Sequence, residues 1–124
     1  MNIVTKAVHH QITDESRALV EEKLAPVARL LGKDSDTALL EIEIEPAPAE
    51  GRSATPTRLV ANLAAGGEVF HAEVVKPTPE SAADRARSDL EAEIKRVRGR
   101  KHELVKRGRA ALKRMLRFGR DYPR

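Results

Sequence analysis

Thirteen of the thirty residues in 95–124 are lysine or arginine, and only Glu103 and Asp121 oppose them. The chemistry open to such a run is electrostatic. Ammonium and guanidinium groups neutralise phosphates and release their counterions, and arginine can hold a phosphate through two parallel hydrogen bonds. The cations also recur at steps of eleven residues, which turn an α-helix by only about 20°. Arg85, Arg96 and Arg107 therefore form one row, and Arg87, Arg98 and Arg109 another. Before Lys95 these arginines have acids four residues on, Asp89 for Arg85 and Glu91 for Arg87, the spacing at which helical side chains meet. Beyond Lys95 such acids run out, and the exposed surface becomes almost wholly cationic.

Other reactive residue types carry less. His9, His10, His71 and His102 lack the three- or four-residue spacing of a helical metal site, and the chain has no cysteine to support one. Without cysteine there is also no disulfide and no thiolate nucleophile. Ser16, Ser35, Ser53, Ser81 and Ser88 fall at caps, loops or helix faces, and His71 reads as a structural strand residue. No phosphate loop, nucleophile elbow or carboxylate pair in an apolar setting occurs. We therefore expect no enzyme activity, no cofactor, no metal and no small-molecule substrate. With one tyrosine, two phenylalanines and no tryptophan, a platform for stacking single-stranded bases is not expected either.

The elements that must position the cations follow from periodicity. Residues 2–8 form a β-rich run. Thr13 then suits a helix N-cap, with Asp14 and Glu15 in the first turn. Leu19, Val20, Leu24, Val27, Leu30 and Leu31 recur as one buried stripe. Pro26 should kink that helix near Glu22, and Gly32 should end it in a left-handed conformation. Residues 38–45 alternate Leu40, Ile42 and Ile44 against Glu41, Glu43 and Glu45, a strand with one wet face. The Pro- and Ala-rich stretch 46–56 is a loop. Residues 57–65 and 68–75 read as a hairpin closed by Gly66-Gly67. From Glu80 a second helix sets Ala83, Ala86, Leu90, Ile94 and Val97 on one face. Leu104, Gly108, Leu112 and Met115 nearly continue it.

The order is β-α-β-β-β-α. Packing both helices on one face of a four-stranded sheet buries both stripes, an α+β fold. A straight helix over 80–118 would run about 58 Å, twice the length of an eight-residue strand at about 27 Å. It must project or break, with Gly99 and Gly108 as candidate break points. We expect a domain over 1–102 and a basic, amphipathic helical extension over 103–124.

The charge divides the same way. Residues 1–94 hold 17 acids against 10 bases, a net −7, whereas 95–124 hold 13 bases against two acids, a net +11. A basic end on an acidic body calls for a polyanionic partner. Nucleic acid is the first expectation; an anionic membrane met by the amphipathic tail is the alternative. The polar amino terminus and the absence of a long apolar span lead us to expect a cytoplasmic protein.

Several stretches then resemble the ribosome hibernation-promoting factor family, also described as ribosome-associated inhibitor A. The first strand followed by Ile12-Thr13-Asp14, Arg17 and Glu22-Lys23-Leu24 is similar to the family's opening. Gly66-Gly67-Glu68 and His71-Ala72-Glu73 resemble its hairpin, and residues 90–98, Leu-Glu-Ala-Glu-Ile-Lys-Arg-Val-Arg, its second helix. The resemblance covers about residues 1–102. It implies a fold like double-stranded RNA-binding domains. It also implies binding to the small ribosomal subunit and its ribosomal RNA near the decoding region, which blocks mRNA and tRNA and silences translation in resting or stressed cells. By position it assigns RNA contacts to Lys23, Arg96, Arg98 and Arg100. The basic tail extends that set to Lys106, Arg107, Arg109, Lys113, Arg114 and Arg117. Glu80 stands where the family usually has tyrosine, and Arg87 where it tends to be apolar. The chain is expected to be monomeric off the ribosome, with a generic double-stranded RNA binder as a further alternative.

Overall fold

The computed structural model describes residues 1–9, 12–47 and 55–99. Strand β1 (Asn2–Ala7) leads into helix α1 (Asp14–Leu24) and a 3-10 segment (Ala25–Thr37), followed by β2 (Leu39–Pro46), β3 (Thr57–Ala65) and β4 (Glu68–Lys76). Helix α2 then covers residues 79–99. The four strands lie in sequence order. β1 and β2 run parallel and the other neighbours antiparallel, so the helical stretch between β1 and β2 is the crossover that a parallel pair requires. The fold is the expected α+β arrangement of four strands and two helices.

One sheet face makes the core. Leu40, Ile42, Ile44, Leu59, Ala61, Leu63, Phe70, Ala72 and Val74 are buried, as are Val20, Leu24, Val27 and Leu31 from the crossover. From α2 come Ala82, Ala83, Ala86, Leu90 and Ile94. The three alanines carry one methyl each and are fully covered, so the first turns of α2 lie close to what covers them. Leu90 and Ile94 fill the space farther along, each contributing roughly 1.5–3 kcal/mol on burial. Glu41 and Glu43 face solvent, as the alternation required.

Local chemistry sets the element ends. Thr13 caps α1, accepting from the Ser16 amide at 3.0 Å. Gly66 and Gly67 both take positive φ, 57° and 78°, which a two-residue hairpin turn needs and a side chain would strain. Thr78 caps α2: its Oγ1 accepts from the Ser81 amide at 3.1 Å, and the Ser81 Oγ accepts from the Thr78 amide at 3.2 Å.

Three expectations are corrected. The first helix does not continue through Leu31 with a kink. Pro26 has no amide to offer the Glu22 carbonyl, the last α-helical bond runs from the Ala25 amide to Glu21, and the chain tightens into the 3-10 segment. Gly32 has positive φ, but its ψ of −127° is not the left-handed helical value, and helical turns resume to Thr37. Leu19 is 43% exposed, outside the buried stripe, because Val20 and Leu24 define the inner face of α1 and position 19 is turned about 100° from Val20. Gly99 is the last described residue of α2, so the break expected there falls at the limit of the described residues.

The chain divides into two compact units, Met1–Ile94 and Lys95–Arg124, and only 95–99 of the second are described. The boundary expected between 102 and 103, the break at Gly108 and the tail helix lie outside the described residues.

Candidate nucleic-acid interface

Helix α2 orders its charges along its length. Arg85 reaches Asp89 with Nε 3.2 Å from the carboxylate, and Arg87 reaches Glu91 at 3.6 Å. Both pairs were legible from the four-residue spacing. Lys95 and Arg96 are exposed and Arg98 is half-buried. Arg100, Lys106, Arg107, Arg109, Lys113, Arg114 and Arg117 lie outside the described residues.

Lys23 sits in the last turn of α1, where a cation suits the helix's negative end. Its Nζ bonds both Asp84 oxygens, at 3.0 and 3.1 Å, with the lysine side chain 32% and the aspartate 56% exposed. Lys23 is therefore an inter-helix tie on the surface. Such a pair holds about 1 kcal/mol or less.

The same helices are joined by Ser16, whose hydroxyl donates to Glu80. Arg17 donates to the Thr5 carbonyl at 2.8 Å, and the Thr5 hydroxyl donates to Glu21 at 2.7 Å. Both fix α1 on β1. Arg17 is thus a scaffold residue, leaving the described positions from Lys95 onward as the basic surface of α2.

The exposed sheet face has the opposite character. Arg58 is held by Glu45 and Glu73, its Nε donating to Glu73 at 2.7 Å. The guanidinium hydrogen bond, and then its charge, hold the Glu73 carboxyl below the usual carboxylate range. The hydrogen bonds that the guanidinium donates to Glu73 and Glu45 likewise raise Arg58 above its ordinary value. His71 lies on the same face, its Nδ1 2.6 Å from the Asn62 side-chain oxygen directly across the ladder. That bond fits its expected structural role. The Arg58 cluster was missed from sequence, although the two-glycine turn fixes the β3–β4 register and could have put Glu73 opposite Val60, two residues from Arg58 on the same face.

Among the described residues, no helix is long and apolar enough to cross a membrane. The profile of the family described as Sigma 54 modulation protein / S30EA ribosomal protein matches residues 3–102. Among solved structures, the N-terminal domain of Protein Y from Thermus thermophilus is similar at 26% identity and a TM-score of 0.63, covering 78% of this chain and 99% of that one. A ribosomal subunit interface protein from Coxiella burnetii shares the fold at 17% identity and a TM-score of 0.64, covering 80% and 99%. No curated protein matches the chain.

Proposed function

Because the chain belongs to the Sigma 54 modulation protein / S30EA ribosomal protein family, to which its resemblance to hibernation-promoting factors pointed, we propose that it is a ribosome hibernation factor. It binds the small ribosomal subunit near the decoding region and occupies the path of mRNA and tRNA, so that translation stops without any chemical step. The observation that carries this reading is the family match itself, which spans Arg96, Arg98 and Arg100 where the sequence runs short of acids. The likeness to a ribosomal subunit interface protein supports the fold on which it rests.

The contact set is Lys23, Arg96, Arg98 and Arg100, extended by Lys106, Arg107, Arg109, Lys113, Arg114 and Arg117. Arginines bind phosphates by charge and paired hydrogen bonds. Folded RNA is recognised through shape, phosphates and 2′-hydroxyls, so three aromatic residues in the whole chain suffice. Lys23 can exchange Asp84 for a phosphate because the surface pair it gives up is weak. The acids of the sheet face, Glu41, Glu43 and Glu45, repel phosphates and discourage RNA from that face. The protein works in the cytoplasm with the ribosome.

The test is competition. Small subunits carrying labelled mRNA and tRNA are titrated with the protein. Release of both labels as the protein co-sediments is expected; co-sedimentation with both labels retained would contradict occupancy of that path.

A further inference from the structure

Strand β4 is an edge of the sheet. Its inner side pairs with β3 from Ala65–Glu68 to Thr57–Lys76. Among the described residues, no backbone hydrogen bond beyond the strand ladders involves residues 69–76. The two-residue turn makes Ala65 and Glu68 a hydrogen-bonded pair, so alternation points the backbone groups of Val69, His71, Glu73 and Val75 away from β3. The side chains of these four residues also share the exposed face. Val69 is 70% and Val75 53% exposed, an unusual state for large apolar groups on a strand that no other described strand covers.

We propose that β4 is a self-pairing edge: two copies of this chain join β4 to β4, antiparallel about a two-fold axis at Ala72, and continue one sheet into the other. The strand reads Glu-Val-Phe-His-Ala-Glu-Val-Val-Lys, and about Ala72 it complements itself. Val69 faces Val75 of the second copy, and His71 faces Glu73. Glu68 faces Lys76, and Phe70 faces Val74. Each contact occurs twice.

The register is selective. An axis at residue 73 would set Glu73 against Glu73, and like charges directly opposed are destabilising. An axis at residue 71 would set the apolar Val69 against Glu73 of the second copy and lose the Val69–Val75 pair. An axis between residues would oppose outward backbone groups to ones already committed to β3. Charged side chains normally guard an edge strand against pairing; here the charged ends, Glu68 and Lys76, meet their opposites on the second copy. Proline, which would remove a ladder donor, does not occur in β4.

One strand pair buries less than the roughly 1,600 Å² of a standard interface, so the dimer is weak. It forms at about 100 μM and dissociates near 1 μM, so the expected monomer is the dilute form. This pairing rests on the edge geometry alone and is independent of ribosome binding.

The test is sedimentation velocity of the full chain at about 5 and about 500 μM, bracketing that affinity. Wild type should shift from monomer to dimer. The double variants V69E/V75E and V69K/V75K should each stay monomeric while keeping wild-type circular dichroism. Because position 69 faces position 75, an equimolar mixture of the two should dimerise. A wild type that remains monomeric at the higher concentration, or variants that dimerise alone as well as wild type, would overturn the proposal. A monomeric mixture would overturn the register. Hydrogen exchange of wild type gives a reading free of variants: the amides of Val69, His71, Glu73 and Val75 should slow at high concentration while those of β1 do not. Equal rates at both concentrations would also overturn it.

Discussion

The two ends of α2 carry arginines at the same eleven-residue spacing but differ in the acids around them. Over 79–94, Arg85 and Arg87 are tied to Asp89 and Glu91 at 3.2 and 3.6 Å. From Lys95 on, the chain supplies thirteen bases and two acids. Intrahelical ion pairs are worth only about 0.3–0.5 kcal/mol, so the pairing says little about stability. It means that Arg85 and Arg87 are already engaged by acids of their own helix. The sheet face makes the same point from the other side, since Arg58 is spent on two carboxylates.

The largest expected effect breaks the comparison at its basic end. Replacing Arg96, Arg98 and Arg100 with glutamate turns three attractions into repulsions. Ribosome affinity should fall by about a thousandfold or more, with circular dichroism unchanged. Retained co-sedimentation would remove this stretch from the footprint. Truncation after His102 should come next. Binding weakens, and the slope of log affinity against log salt becomes shallower by about 0.7–0.9 for each phosphate that the tail no longer neutralises. An identical slope would mean that the tail does not touch RNA.

The paired arginines supply the control. Gln at both Arg85 and Arg87 should leave ribosome affinity within about twofold and cost about 0.2–0.5 kcal/mol of stability per pair. A loss matching the Glu triple variant would erase the distinction between the two ends.

The smallest effect concerns the sheet. Arg58 holds the Glu73 carboxyl below its ordinary range. The stabilisation this gives is present above the ordinary carboxylate value of about 4.3 and is lost as pH falls through the depressed value in the folded protein. Urea midpoints at pH 6 and pH 3 should therefore differ more for wild type than for Arg58→Met. Equal differences would show that the contact does not couple to folding.

Sequence made much of this legible where the cause is local. The Leu40-Ile42-Ile44 alternation, the Thr13 cap, the glycine turn and the Arg85 and Arg87 pairs depend on neighbours a few residues away. The end of α1 was misjudged because hydrophobic spacing runs on past Pro26, while hydrogen bonding does not. The Thr78–Ser81 cap was hidden behind the more obvious Pro79. Lys23 matched a basic position by resemblance, but its bond to Asp84 joins two helices 61 residues apart, and no spacing rule reaches that far. Arg58 with Glu45 and Glu73 likewise requires three strands in register.

The most direct test of the central claim is sedimentation of the protein with purified ribosomes against excess duplex RNA at 50 and 200 mM salt. The account predicts that affinity falls by roughly a thousandfold between the two if six or more phosphates are contacted, while the preference for ribosomes persists at both. Equal partition onto duplex RNA, or no ribosome binding at the lower salt, would contradict it.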